Sequence, residues 1–310
     1  MKGISIIVCC YNSGDKLIPT LAYLAKQQRL AGVGYELLIV DNNCTDNSIN
    51  AAKIKWEQYD APFPQRVISA KIPGLSFARE AGVKNAAYPY IVLCDDDNWL
   101  SEDYVVKVFS LFEKIPEVAL IGGVGEAVSD IELPQWFKTV DGFGYAVGRE
   151  GRNTGYVESI YGAGMALRKD VFNSVIRDVP LILCDRKEKS LSSGGDTEIC
   201  MRIRKAGYKI YLDEELTFKH FLTSNRLKWK YYLQLRKAFG RANALLQINY
   251  GGVVRKNNFF TFLSIMKYAL LHSKYFLFPL LYKNEGCASY VQEINRRLLL
   301  LTTIIKKTFL

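Results

Sequence analysis

Residues 90–99 read YIVLCDDDNW. Tyr90 to Cys94 is an unbroken apolar run, and Asp95, Asp96 and Asp97 follow it without a spacer. A short apolar run bounded by polar residues reads as a buried strand. Three consecutive carboxylates repel one another and cannot enter a core, so the strand must end where something cationic offsets them. A divalent metal with oxygen ligands matches that need best. A solvated turn with a capping Asp explains one of the three acids, not three in a row after YIVLC.

The same pattern recurs on both sides of this stretch. Ile4–Cys10 and Tyr35–Asp41 (YELLIVD) are apolar runs that end at Tyr11-Asn12 and Asp41-Asn42-Asn43. Arg66–Ala70 and Ala119–Val128 are further strand candidates, and Asp15–Gln28, Asn47–Tyr59, Phe77–Ala86 and Glu102–Lys114 are helical, with Asp46 and Ser76 as N-caps. Strands separated by helices of this length make a mostly parallel central sheet flanked by helices, an α/β fold. Ligands bind beyond the carboxyl ends of such strands. Three polar strand ends therefore converge on one crevice, to which they contribute Tyr11, Asn12, Asp41 and Asp95–Asp97.

Composition narrows the class. The chain has 310 residues, 49% hydrophobic and 23% charged, which excludes a disordered or collagen-like protein. Seven cysteines in an odd, non-CxxC arrangement argue against a disulfide framework or a zinc site and for a reducing, cytoplasmic setting. The apolar run after Lys2 is too short for a secretory signal. No GxGxxG follows the first strand and no GxxxxGK[ST] occurs, which argues against a dinucleotide oxidoreductase and a P-loop nucleotidase.

Residues 129–164, rich in Gly and aromatics, read as long loops, with Trp136 and Tyr145 able to stack on a sugar or to plug a core. Asp196–Ala206 is helical and Tyr208–Leu212 a strand. His220, one of two histidines, is either a structural residue or an imidazole metal ligand.

In order and spacing, SIIVCCYN, LLIVDNNCTDNS, GLSFAREAG, YIVLCDDDN, GAGMALRKDVF and SGGDTEICMRIRKAGYKI resemble glycosyltransferase family 2, over roughly residues 3–225. The segment from Asp185 to Trp229 is similar to the polysaccharide-assembly branch of that family. The resemblance implies a GT-A fold and inverting transfer of a sugar from a nucleotide diphosphate, with UDP as the expected nucleotide, to a saccharide or lipid-linked saccharide. It assigns Asp41 to the base, Arg79 to the donor nucleotide, Asp95 and Asp96 to the donor side, Asp97 with Asp95 and His220 to Mn²⁺ or Mg²⁺, and Asp196 to the catalytic base. Where the family writes Gly-Glu-Asp, this chain has Gly194-Gly195-Asp196, leaving Glu198 as a stand-in on the acceptor side with Trp136 and Tyr145. Two other readings compete: a sugar-nucleotide pyrophosphorylase, which would want a Gly- and Arg-containing loop after the first strand, and a non-catalytic sugar- or lipid-binding accessory protein.

Charge separates residues 1–225, the expected catalytic domain, from a C-terminal helical extension, 226–310. The extension carries fifteen Lys or Arg against two acids, net +13, whereas the whole chain is +10. Its expected partner is an anionic membrane surface, with peripheral attachment at the inner face of the cell membrane, through an aromatic-basic helix at 229–241 and the apolar run 259–282. A helical subdomain packed on the body or on a second copy is the alternative. No nucleic-acid-reading module is visible.

Overall fold

The computed structural model describes residues 2–140, 142–148, 153–177, 179–183, 194–251 and 258–308. Among the described residues nine strands form one sheet: β1 (Gly3–Cys10), β2 (Gly34–Asp41), β3 (Gln65–Ser69), β4 (Tyr90–Asp95), β5 (Asn98–Leu100), β6 (Val118–Val128), β7 (Gly155–Tyr156), β8 (Ala166–Arg168) and β9 (Lys209–Phe221). Their order is β3-β2-β1-β4-β8-β6-β9-β5, with β7 against β9. β1 to β4 pair in parallel, as do β6 and β9, while β8, β5 and β7 run antiparallel to their neighbours.

The helices are α1 (Leu17–Ala25), α2 (Ser48–Gln58), α3 (Leu75–Asn85), α4 (Tyr104–Lys114), α5 (Lys169–Phe172), α6 (Gly195–Lys205), α7 (Trp229–Tyr250), α8 (Asn258–Leu271), α9 (Ser273–Leu277) and α10 (Glu285–Thr308). The central strands are buried on both faces, which is why they read as continuous apolar runs. Ile6, Val8, Leu37 and Ile39 point to one side, under Leu21 of α1, Trp56 of α2 and Val108 of α4. Ile7, Leu38 and Val40 point to the other, under Ala78 and Val83 of α3 and Ile199 and Ile203 of α6.

Most expected elements of the first 206 residues lie within two residues of those observed; the first helix stops at Ala25, three residues short of Gln28, and α7 runs on to Tyr250. Three further differences are informative. Ser76 falls inside α3; Gly74 takes the N-cap position at φ 133°, a value that a side chain would disfavour. Asp46 sits one residue before the N-cap position of α2, its carboxylate accepting from Ser48 N and Oγ at 3.1 and 2.6 Å. The strand expected at 208–212 runs on to Phe221. Asp213-Glu214-Glu215 breaks its alternation in sequence, and the pairing of β6 with β9 shifts register there, after which Leu216, Phe218 and His220 again point inward.

A third core joins the loop aromatics to the C-terminal helices: Trp136, Phe137 and Tyr145 pack with Leu222, Trp229, Tyr232 and Cys287. The aromatic residues of α7 that the sequence suggested for a membrane thus face the body. Trp136 contacts Trp229 edge-on at 5.1 Å and Tyr232 at 5.3 Å. Among the described residues no helix is long and apolar enough to cross a membrane.

Candidate active site

The carboxyl ends of β1, β2 and β4 open into a cavity of about 720 Å³, the size of a small-molecule site. Its lining includes Tyr11, Asn42, Arg79 and Asp95–Asp97 from the strand ends and α3, Gly162, Asp196 and Thr197 from the start of α6 and the segment before β8, and His220, Arg226, Arg236, Phe239 and Gln292 from β9, α7, α10 and the turn between β9 and α7.

Each acid of the DDD run meets a different cation of the chain. Asp95 Oδ1 accepts from Arg79 Nη2 at 3.0 Å, Asp96 pairs with Lys16 at 3.6 Å, and Asp97 Oδ2 accepts from Arg226 Nη1 at 2.9 Å. The offset that the sequence reading assigned to a metal is thus supplied at least in part by three side chains from distant segments. The Ser13 hydroxyl also donates to Asp96. Burial, together with the charge of Asp97, pushes the Asp96 carboxyl up. Burial acts on Asp97 in the same direction, but His220 and Arg226 outweigh it and hold this carboxyl well below the usual range. Burial disfavours the Arg226 charge, but Asp97, together with Tyr231, Tyr145 and Asp95, outweighs it and raises the guanidinium.

His220 reaches Asp97 through strand register. Asn98 of β5 pairs with His220 of β9, so the imidazole lies beside the residue preceding Asn98. Its Nδ1 lies 2.5 Å from the Tyr145 carbonyl, which can only accept. Nε2 therefore faces the cavity, 3.4 Å from Asp97 Oδ1 and 3.2 Å from Arg226 Nη1. One imidazole nitrogen, its tautomer set by a carbonyl, beside a carboxylate oxygen is a donor pair suited to a divalent cation. Among the described residues no group of three His, Cys, Asp or Glu comes together to hold a metal.

Asp196 stands in the first turn of α6. Its Oδ2 accepts from Gly162 N at 3.0 Å and its Oδ1 from Thr197 N at 2.7 Å, which fixes the direction of the carboxylate. Gly162 also lies close against Arg79. A Cβ at this residue would lie 2.6 Å from Arg79 Nη1, so a side chain there would make the guanidinium that meets Asp95 shift. This glycine, within the GAGMALRKDVF stretch, was not singled out from sequence, and neither was Arg226. A basic residue within a basic segment carries no local mark of its partner.

Four expected site residues are placed differently. Glu198 is fully buried and lies outside the cavity lining: it pairs with Arg202 at 2.6 Å and accepts from Ile182 N, Leu183 N and the Tyr250 hydroxyl. It ties α6 to α7 and cannot stand in for the missing acid, having turned about 200° from Asp196. Trp136 is core, for the packing reasons given above. The Tyr145 ring is 1% exposed and stacks on Phe137 and Tyr232, its hydroxyl donating to Arg226 O at 2.6 Å; it serves the site through its backbone carbonyl. Asn12, at φ 48°, turns its side chain to Thr45 N at 2.7 Å and braces the loop after β2 instead of lining the cavity.

Asp41 ends β2 beside Cys10, and its Oδ1 accepts from Cys44 N at 2.8 Å. Like Asn12 and Glu198, it is not among the residues that line the cavity; its neighbour Asn42 and Tyr11 are. Asn42 holds the α3 entry, with Gly74 N donating to its Oδ1 at 2.8 Å. The described cysteines are free thiols, and burial pushes Cys200, a core residue, and Cys9, which lines the cavity, up to about 12, so both stay protonated and unreactive. Residues 184–193, which include the start of the segment similar to the polysaccharide-assembly branch, lie outside the described residues.

A mostly parallel sheet with acids at its strand ends, a further carboxylate in the same cavity and C-terminal helices contributing to its lining defines a GT-A nucleotide-sugar transferase architecture. A sequence model described as glycosyl transferase family 2 matches residues 5–176, more than half of the chain, and the chain belongs to that family. It is 26% identical over 125 residues to the poly(ribitol-phosphate) beta-N-acetylglucosaminyltransferase TarP of Staphylococcus aureus, covering 40% of this chain and 37% of that one. It is 24% identical over 123 residues to the poly-beta-1,6-N-acetyl-D-glucosamine synthase of Staphylococcus epidermidis, covering 40% of this chain and 28% of the relative. The matches thus span well under half the length of these relatives. The crystal structure of S. aureus TarS 1–349 superposes with a TM-score of 0.51 at 15% identity, covering 98% of this chain and 91% of that one, and TarS 1–349 has also been solved with UDP and with UDP-GlcNAc.

Proposed function

We propose that this protein is an inverting glycosyltransferase that moves a sugar from a nucleotide diphosphate, UDP first among those to test, to a saccharide or lipid-linked saccharide acceptor in surface polysaccharide synthesis. One observation carries the reading: Asp196 and the Asp95–Asp97–His220 cluster line the same cavity, with Gly162 bonded to Asp196 and close against Arg79. The UDP and UDP-GlcNAc complexes of TarS support the choice of nucleotide.

In this reading the diphosphate end of the donor lies toward Asp97, His220 and Arg226, with Asp41, Tyr11, Asn42 and Arg79 on the nucleotide side. Asp97 and His220 suit Mn²⁺ or Mg²⁺ by donor chemistry and would be the residues that hold it. Bound there, the metal would neutralise charge developing on the departing diphosphate. Arg226, already against both residues, supplies a second positive group to the same oxygens. Asp196 takes the proton of the acceptor hydroxyl, its carboxylate aimed by two backbone amides, while attack proceeds in line at the anomeric carbon. The acceptor lies in the end of the cavity formed by α7 and α10, where Arg236 Nε is buried with no hydrogen-bond partner among the described residues. We assign residues 1–225 to the catalytic unit and 226–310 to an extension that completes the acceptor side and approaches a membrane. That the third core contains residues from both segments supports a rigid junction.

The test separates the two halves of the cavity. Asp196→Asn is expected to retain UDP affinity by calorimetry and to lose transfer by about 10²–10⁴-fold, the usual contribution of a general base. Turnover within tenfold of the unmodified protein would assign the base to another group.

A further inference from the structure

The apolar surface of the described chain is concentrated in one segment. Of the twenty-one exposed large hydrophobic side chains, eleven fall within residues 262–282. Leu270 and Leu271 are 71% and 70% exposed, Phe276 and Leu277 64% and 62%, and Leu280 and Leu281 58% and 76%. Scattered apolar residues are ordinary on a surface; a contiguous run of this density marks an interaction face.

The packing of α8 explains why the sequence run is apolar all round. Its inner side carries buried Ile265, and Tyr268 stacks on Tyr290 of α10 at 5.7 Å with Arg297 over its ring at 4.4 Å. Phe262, Leu263, Met266 and Leu270 make a second stripe that no described residue covers. A helix apolar on both sides needs a second nonaqueous environment.

Charge chooses between a bilayer and a second copy. Lys267, Lys274 and Lys283 accompany the face, and no Asp or Glu occurs from Asn258 to Asn284. An isologous dimer through it would set these lysines against their own copies. An anionic lipid surface attracts them, and lysine stems lie along apolar surface while their charges reach the headgroups. Lys274 lies over the rings of Tyr275 and Tyr282 at 4.9 and 5.7 Å, a grouping of aromatic and base typical of the membrane interface. α8 and α9 have 14 and 5 residues, too few to span, so they would lie in the interfacial plane.

We infer that residues 262–282 form a docking ledge that seats the protein on an anionic membrane, with the exposed faces of α8, α9 and the 278–282 segment entering the headgroup region. α7, which the sequence suggested as the first contact, instead holds the ledge to the site. Trp229 Nε1 donates to Pro279 O at 2.9 Å, Trp229 packs on Tyr232, and Tyr232 stacks on Tyr145, whose carbonyl holds His220. The ledge therefore sets the distance of the active site from the bilayer, which favours an acceptor carried on lipid. That last step rests on the proposed transferase function; docking itself does not.

The experiment uses the full chain with sedimenting vesicles of phosphatidylcholine alone or mixed with phosphatidylglycerol. Binding is expected only to the anionic vesicles and to weaken as salt rises. The exposed-surface variant Leu270→Gln/Leu281→Gln should bind at least tenfold more weakly. Lys267→Gln/Lys274→Gln/Lys283→Gln should lose about a hundredfold and its salt dependence, at about 1 kcal/mol per lysine. Far-UV circular dichroism and UDP affinity, both expected to be unchanged, show that each variant is folded with its site intact. Unaltered vesicle binding in the leucine variant overturns the ledge. A dimer in light scattering that the leucine variant abolishes, with no vesicle binding by the unmodified chain, assigns the face to a second copy instead. Failure of the unmodified chain to bind any nucleotide would count against the transferase reading while leaving the vesicle result to stand alone.

Discussion

Glu198 is the sharpest test of how the site is supported. Its carboxylate is fully buried and serves four donors: the Arg202 guanidinium at 2.6 Å, Ile182 N at 3.1 Å, Leu183 N at 2.8 Å and the Tyr250 hydroxyl at 2.6 Å. Glu198→Ala removes all four acceptor contacts. Arg202 keeps hydrogen bonds to Val179 O and Pro180 O but loses its only described acidic partner in a site where it is itself buried. Breaking one side of a buried ion pair costs about 3–5 kcal/mol, and two orphaned amides place the expectation in the upper half of that range. Glu198→Gln keeps the shape and an acceptor oxygen, and should cost about half as much, since one oxygen becomes a donor facing donors. Urea unfolding followed by tryptophan fluorescence, at unchanged m-value, reads the difference. If Glu198→Ala shifts stability by less than about 1 kcal/mol, or if Glu198→Gln lowers kcat with stability intact, the residue acts on the acceptor after all and the structural account is wrong.

Three further outcomes follow from the cavity. Asp97→Ala should abolish the Mn²⁺-dependent part of UDP affinity measured by calorimetry; the same Mn²⁺ dependence in the variant would remove Asp97 from the metal. Arg226→Ala strips Asp97 of its nearest cation and should destabilise the fold by about 3 kcal/mol, with part of the loss restored by Mn²⁺ between Asp97 and His220; a midpoint indifferent to Mn²⁺ would show that those two residues do not bind it. Gly162→Ala places a Cβ 2.6 Å from Arg79 Nη1 and should push the guanidinium off Asp95, weakening UDP binding by about tenfold, in line with the loss of one charge-assisted hydrogen bond. Unaltered affinity there would mean that Arg79 does not hold the donor.

What the sequence determined by itself is what depends on neighbours along the chain. Tyr90–Asp95 is a strand because five apolar residues in a row have no soluble alternative, and the acids after it lie at the strand's carboxyl end because chain direction admits no other place. The same holds for Asp41 after β2 and for Asp196 in the first turn of α6. Charge pairing is not local, and there the tertiary structure decided. Arg226 and Asp97 are 129 residues apart and meet only because β9 pairs with β5 and returns the chain past the end of β4. His220 could be read as ligand or core until register set it beside Asp97. Glu198, two positions from Asp196, looked like a spare acid, and only packing shows it turned inward to Arg202. Trp136 and Tyr145, equally suited to a sugar or a core, were claimed by the aromatic faces of α7. The run 259–282 is apolar on every side in sequence. Which half meets α10 and which half meets the surroundings depends on how a helix rolls against its neighbour, and that is decided by side-chain fit, not by composition.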